Sequence, residues 1–314
     1  MPLPTINDVQ AVNPVLTNML IGYQQADDRF VASRVFPAVP VEKDSGTYFI
    51  FTKKYWFLDG LEERAPGASF ARTGFGVESS TYKTLQWAVE EPLADETRAN
   101  SQIPMDLEQA ALRHIAQQSL IRKERAFAAD FMATSVWGTD NTSATDWDDF
   151  SAGDPVTDNL TARRTISNNT GQEANTIVCG SIVDQALVNH PDILDRMKYV
   201  QAATMSNVRA VLANVLGFTN YFVSRASYNS ANSGQTFVGA AIVDDDALVC
   251  FVDPSAGIFS ATAGKNFIWQ PGGGLGSVLS YRDPSVKSDV LQHQEQWDQV
   301  ATATDLGYFF SDIV

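Results

Sequence analysis

The sequence predicts a mixed α+β chain in which a compact α/β body carries long segments that cannot bury themselves. Three observations lead there. Two runs of apolar–polar alternation, "TYFIFT" (47–52) and "VESSTYKTLQWAVEEP" (77–92), flank the Gly-, Ala- and Pro-punctuated stretch "FLDGLEERAPGASFARTGF" (57–75). One run of about 28 residues from Asp106 holds apolar side chains at helical spacing. From Pro155 to about Gly276, helix and strand signals alternate.

Taken in order, residues 1 to about 30 mix Pro2, Pro4 and Pro14 with Val12, Val15, Leu16 and Leu20, an extended arm that must lie on another surface. The alternation of 47–52 sets Tyr48 and Ile50 on one face and Phe49 and Phe51 on the other. Together with 77–92 it predicts a long two-stranded ribbon whose tip is the 57–75 stretch. Hairpin loops normally take two to five residues, so a tip this long reads as a linker, a functional loop or an unrecognised element. An isolated ribbon is marginal in water and needs a partner surface outside its own domain.

Asp106 with Gln109 resembles a capping box at the start of a long helix, about 106–133, whose stripe is Leu112, Ile115, Ala116, Leu120, Phe127 and Phe131. In the α/β half, "PVTDNLTARRTIS" predicts a helix and "NTIVCG" a strand. Ser181 is read as the cap of the next helix, Pro191 as the first residue of another, and Gly217 as the stop of a third. Strands follow at "NYFVSRASY", "AAIVDD", "ALVCFVDP", "NFIWQP", "GSVLSYRDP" and through the terminal "EQWDQVATATDLGYFFSDIV", whose apolar end is expected to dock into a sheet.

Composition narrows the function. A net charge of -15 argues against a grip on nucleic acid through phosphate neutralisation. Cys179 and Cys250 sit in apolar contexts and read as buried free thiols. The N-terminal residues show no secretory signal, and no stretch approaches the ~20 apolar residues of a membrane span, so a soluble cytoplasmic product is expected. His114, His190 and His293 are far apart without ligand spacing; the first reads as a helix-surface residue and the second as a helix boundary. "PGGGLGS" (271–277) lacks the dinucleotide-loop spacing and reads as a flexible turn linking two domains. Asp140, Asp146, Asp148, Asp149 and Asp244–Asp246 read as solvated acidic loops, since neither group matches a calcium loop. No catalytic, cofactor or metal residue is singled out.

The layout resembles one family specifically. "VASRVFPAVPVEKDSGTYFIF", "RAPGASF", "LADETRANSQIPMDLEQAALRHIAQQSLIRKERAFAADFM", "VNHPDILDRMKYVQ" and "DLGYFFSDIV", in this order along essentially the whole chain, are similar to tailed-bacteriophage major capsid proteins of the Hong Kong 97-like fold. That resemblance implies an α+β capsid fold with an N-terminal arm (1–40) and an extended β-hairpin, the E-loop (41–92). It implies a peripheral domain (93–153 and 279–314) carrying the spine helix, and an α/β axial domain (154–278). It makes 57–75 the E-loop tip, lying across a neighbouring subunit, with Glu62, Glu63, Arg64, Phe70, Arg72 and Phe75 as intersubunit contacts. The expected product is a non-enzymatic structural protein of the virion, assembled in the bacterial host cytoplasm. It forms pentamers and hexamers that close an icosahedral shell around double-stranded DNA without sequence-specific binding. Portal and decoration proteins are the family's partners, and an arm that begins directly at Met1 with no charged coiled-coil region before it implies a separate scaffolding protein, or none. No matching motif marks Lys53 or Lys54 as a crosslinking lysine. An encapsulin-like compartment shell of the same fold and a soluble α/β hydrolase are the alternative readings.

Overall fold

The computed structural model describes residues 11–12, 28–51, 53–67, 69–100, 104–142, 145–198, 208–232, 234–255, 257, 260–274 and 276–314; most of the expected arm lies outside that set. Its described parts are strand β1 (Ala11–Val12) and residues 28–40. Helix α1 (Ala32–Val35) buries Ala32 and Val35, and strand β2 (Ala38–Val41) follows with Val39 and Val41 inward. Strand β3 (Ser45–Phe51), the short helix α2 (Lys53–Trp56) and strand β4 (Val77–Lys83) make the ribbon. β3 and β4 pair antiparallel from Ser45↔Lys83 to Phe51↔Val77, the pairing that the two alternating runs predict.

The alternation does not stop at Lys83, but the ribbon does. Thr84 donates through its N–H and its hydroxyl to the Asp44 carbonyl, at 2.8 and 2.9 Å, and closes the ribbon base. Strand β5 (Leu85–Ala94) then leaves for another sheet. The second alternating run is therefore two strands with different partners. Tyr82 stacks on Phe267 with ring centroids 4.5 Å apart, and Tyr48 lies 5.9 Å from the same ring. This contact gives the marginal ribbon the partner surface it needs.

Helix α3 (Asp95–Asn100) leads to the long helix α4 (Pro104–Phe131), 28 residues and about 42 Å at 1.5 Å per residue. It starts two residues before the expected position, with Pro at the first helical site where no N–H is required. Asp106 is then the third helical residue rather than the cap, and its side chain lies outside the described residues. The whole predicted stripe is buried. Leu112, Ile115 and Ala116 pack on Val278 and Leu291, while Phe127 and Phe131 join Phe36 and Trp137 in the main core.

Strand β6 (Thr139–Asn141) precedes helix α5 (Pro155–Thr170), capped by Asp154, whose carboxylate accepts the Thr157 N–H at 2.9 Å. Strand β7 (Thr176–Gly180) runs directly into helix α6 (Ser181–Asn189). Here the expectation for Ser181 fails. Gly180 occupies the cap and Ser181 is the first helical residue, with no side-chain cap bond, because no loop separates strand from helix. Helix α7 (Pro191–Met197) has Pro191 at its first position and His190 as its cap, the ring Nδ1 accepting the Asp192 N–H at 3.3 Å. Helix α8 (Val208–Leu216) ends at Gly217, where φ is 79°.

Strand β8 (Asn220–Ser224), the hairpin β9 (Ser227–Asn229) with β10 (Gly239–Ala241), and strand β11 (Ala247–Cys250) complete this half. Strands β12 (Gly264–Trp269), β13 (Ser277–Asp283), β14 (Ser288–Ala301) and β15 (Gly307–Phe310) end the chain.

Two sheets organise the molecule. The five-stranded one runs β6-β15-β11-β7-β8, and every residue of β7, β11 and β15 is buried, as continuous apolar runs require. The C-terminal aromatics dock in it as expected. Cys179 and Cys250 are free thiols inside it, and burial pushes the Cys179 thiol up to about 12. The six-stranded sheet runs β1-β13-β14-β12-β2, with β5 on the other side of β14. Each sheet takes strands from both sides of the expected boundaries at 153/154 and 278/279: β12 joins the larger sheet, β6 and β15 the smaller.

The register around β14 corrects the reading of "PGGGLGS". β5 pairs with Ser288 to Trp297 of β14, β13 with Ser288 to Gln294, and β12 with Trp297 to Ala301. β12 and β13 therefore lie end to end along the edge of β14 opposite β5. The glycine stretch is an interruption within one sheet and not a link between domains. Gly276 sits there at φ 131°, and a β-carbon on it would lie 2.6 Å from His293 Cε1. Gly276→Ala is expected to cost about 3 kcal/mol, from backbone strain plus overpacking, read as a lower urea midpoint at unchanged slope. An unchanged midpoint would contradict this placement of the loop.

Adjacent residues of α4 tie it to both sheets. Lys123 Nζ donates to Glu295 Oε1 on β14 at 3.0 Å. Ser119 Oγ donates to the same oxygen at 2.6 Å, His293 Nε2 lies 2.8 Å from it, and Trp297 Nε1 donates to Glu295 Oε2 at 3.0 Å. Burial alone would raise the Glu295 carboxyl; the His293 bond, the Lys123 charge and the Ser119 bond hold it down at about 2. Glu124 points the other way. It accepts the Val31 and Ala32 N–H groups at 2.9 Å each and the Ser224 hydroxyl at 2.6 Å, capping α1 from across the chain. Burial pushes its carboxyl above the ordinary range despite those bonds.

Candidate functional site

The histidines do not converge on a reaction centre. His114 is exposed on α4, its Nδ1 2.8 Å from Glu91; His190 caps α7; His293 is buried in the Glu295 cluster. In the acidic loops, carboxylate oxygens of Asp245, Asp246 and Asp312 lie within 4.8 Å of one another. Burial pushes Asp246 up to about 6, and its carboxylate accepts the Asp312 N–H, so the corner fastens the C-terminal turn. Asp312 is far from Asp244–Asp246 in sequence, and nothing local marked it. Among the described residues, no helix is long and apolar enough to cross a membrane.

The ribbon tip is where the molecule offers surface. The described residues between 57 and 76, from α2 to β4, form neither helix nor strand, yet they double back on themselves: Thr73 lies beside Gly60, 3.4 Å from where a β-carbon would stand. Glu62, Glu63, Arg64, Phe70, Arg72 and Phe75 are all exposed along this loop. Arg64 and Phe70 are brought together, the guanidinium carbon 4.2 Å above the ring centroid.

Sequence reasoning names Phe70 and Phe75 on the apolar side of this loop and misses Trp56, Phe57, Leu58 and Leu61. Trp56, Phe57 and Leu58 are each 63% exposed, Leu61 is 93%, Phe70 75% and Phe75 71%. Apolar side chains gathered on one projection mark an interaction site. The signal was readable in "YWFLDGL" (55–61), an apolar run with no alternation to bury it.

The ribbon leans over its own body at two points. Lys53 Nζ lies 2.7 Å from Asp305 Oδ2, both side chains about half exposed. The Phe57 ring lies 3.6 Å from the position a β-carbon would take on Gly171, the left-handed residue that ends α5 at φ 69°.

No family model matches the chain. The major capsid protein of Burkholderia phage BcepMu is 26% identical over 197 residues, 62% of this chain and 63% of that protein. The alignment thus spans less than two thirds of the relative's length. Among solved structures, a phage-related protein from Bordetella bronchiseptica RB50 matches with a TM-score of 0.73 at 18% identity, over 97% of this chain and 98% of that one. The capsid of Cyanophage P-SCSP1u matches at 0.58 and 10% identity, over 90% and 87%. The virus-like particle from Pyrococcus furiosus matches at 0.54 and 10% identity, over 95% and 98%. At such identities structural likeness speaks for the fold. The chain has the Hong Kong 97-like fold of tailed-phage major capsid proteins.

Proposed function

We propose that this chain is a major capsid protein, a structural subunit that assembles with itself into pentamers and hexamers of an icosahedral phage shell around double-stranded DNA. The observation that carries the reading is the apolar ribbon tip, left exposed by a chain whose fold is that of capsid subunits. In this reading the six-stranded sheet with α4 is the peripheral domain, the five-stranded sheet gathers around the symmetry axes, and the arm and ribbon reach other subunits. Phe70 and Phe75 supply burial across the contact. Glu62, Glu63, Arg64 and Arg72 set register through ion pairs worth ~0–1 kcal/mol each. The net charge of -15 suits a wall that encloses DNA without gripping it. Like-charged subunits are then held by apolar burial, their repulsion screened within ~8 Å at physiological salt. Portal, scaffolding and decoration proteins are the partners such a shell takes, with assembly in the bacterial cytoplasm and the virion as destination.

A compartment shell of the same fold is the second reading, favoured by the likeness to the Pyrococcus furiosus particle and weakened by the curated relative being a phage capsid protein. A hydrolase built on the α/β half would leave the ribbon without a use. The test is expression of the chain alone, size-exclusion chromatography of the lysate, and negative-stain microscopy of the fractions. Closed shells, tubes or rings of five or six subunits are expected. Shells filled with a co-purifying enzyme would favour the compartment, and a monomer of 34.3 kDa that never assembles, even with neighbouring gene products, would overturn the reading.

A further inference from the structure

We propose that the groove between α4 and β5 is a binding site for one small free phosphate, held by Trp87, Arg122 and His293. The site lies within a single chain, so it stands apart from the assembly proposed above.

The groove holds a cavity of about 230 Å³ walled by Trp87 and Val89 of β5, Ser119 and Arg122 of α4, and His293 and Glu295 of β14. A water takes about 30 Å³ in the liquid, so the space suits several waters or one small oxyanion. Strand pairing sets the floor, with Trp87 opposite Glu295 and Val89 opposite His293. The fixed parts are in place before a ligand arrives. Trp87 stacks on Trp297 with ring centroids 5.6 Å apart. His293 is 2% exposed, and its Nε2 is committed to Glu295 Oε1 at 2.8 Å. Arg122 is the movable wall. Its side chain is exposed, and its guanidinium carbon lies 3.8 Å from the Trp87 ring centroid. Swinging off the ring toward the cavity opens the indole edge and brings a charge to the ligand.

Two polar atoms here point to what binds. Trp87 Nε1 and His293 Nδ1 are buried, and neither has a hydrogen-bond partner among the described residues. Leaving such atoms unpaired costs desolvation that no bond returns. Their chemistry is complementary. The indole can only donate. A ring whose Nε2 faces a carboxylate carries its proton there, which leaves Nδ1 of the neutral imidazole an acceptor. The ligand therefore accepts at one oxygen and donates from another, or it arrives as an anion while the ring takes a second proton. A phosphate with an exchangeable proton near neutral pH meets either condition. A phosphodiester has no proton to give, so a nucleic-acid backbone is a poor occupant.

The charges agree with an anion. Those facing His293 are Glu295 on its own strand and Lys123 and Arg122 on α4; β13 presents Val278 opposite it. On β5 the next carboxylate along the groove, Glu91, is already engaged by His114. Glu295 is matched by Lys123, which leaves the Arg122 charge for the ligand. One proton is shared between Nδ1 and the bound oxygen, so alkaline solution, which removes it, weakens binding.

The test is calorimetric titration of inorganic phosphate into the full chain in phosphate-free buffer. One saturable site is expected, about tenfold weaker at about pH 8 than at about pH 6. Dimethyl phosphate should bind about tenfold more weakly than phosphate or worse. Arg122→Gln removes the rim charge and Trp87→Phe removes the indole N–H while keeping a ring; each is expected to raise the dissociation constant about tenfold, with the fold checked by circular dichroism. Should Trp87→Phe not fold, Arg122→Gln, at an exposed position, carries the test alone. A crystal grown with arsenate should show its anomalous peak between α4 and β5. No saturable binding at about 20 mM phosphate, equal affinity for dimethyl phosphate, or affinity unchanged in the folded variants would overturn the site.

Discussion

Glu295→Leu is expected to cost about 3–5 kcal/mol of folding stability, read by chemical denaturation of the unassembled chain. The substitution leaves the buried Lys123 ammonium without its counter-charge and removes the carboxylate that accepts from Ser119 and Trp297, all at the seam between α4 and the larger sheet. Lys123→Met added to Glu295→Leu should return much of that loss, because removing both charges leaves no uncompensated ion. If the double variant is no better than the single one, the cost lies in packing and this account of the seam is wrong.

The same carboxylate sets an acid limit. Its folded value is held at about 2, below the ordinary 4.5, so its stabilisation is fully present above pH 4.5 and is lost as pH falls toward 2. That loss amounts to about 3 kcal/mol, since each tenfold difference in proton affinity between the folded and unfolded chain contributes about 1.4 kcal/mol. Glu124 acts with the opposite sign. Its value is raised by burial, so its ionisation costs stability above the ordinary carboxylate range and costs nothing in acid. Stability measured against pH should therefore fall below pH 4.5 in the wild type and much less steeply in the Lys123→Met/Glu295→Leu double variant.

The second large effect is on assembly alone. Leu61→Ser, Phe70→Ser and Phe75→Ser combined should leave the monomer's folding stability within about 0.5 kcal/mol of wild type, since all three side chains are exposed. Burying each at an interface contributes about 1.5–3 kcal/mol, so losing three weakens each subunit contact by about 5 kcal/mol, or a thousandfold or more. No particles are expected at concentrations where wild-type chains assemble fully, as judged by sedimentation. Particles formed at wild-type concentration would show that the tip does not hold subunits together.

What was legible in the sequence followed from local periodicity. The register of β3 on β4 is contained in the alternation of Tyr48, Phe49 and Ile50 against 77–83. The buried face of α4 is contained in the spacing from Leu112 to Phe131, and the apolar runs of β7 and β11 announced strands covered on both faces. What was not legible depends on long-range partners. Thr84 breaks the ribbon because Asp44 and β14 compete for the two halves of one alternating run. The glycine loop is an interruption only because β14 aligns β12 with β13 on the same edge. His293 and Glu295 alternate on a strand like any pair; α4 makes them a buried cluster by bringing Ser119 and Lys123 to the same oxygen. At the ribbon tip, the exposed loop carrying Glu62 to Phe75 was legible. Its lean onto Asp305 and Gly171 was not, since those residues lie more than a hundred positions away.

The most direct measurement is a cryo-electron-microscopy reconstruction of whatever the purified chain forms, at a resolution that traces strands. The account predicts rings of five and six subunits in a closed shell, with density for 45–83 leaving each body and ending against the adjacent subunit. A map in which the ribbon stays on its own body, or particles that never form at all, would contradict it.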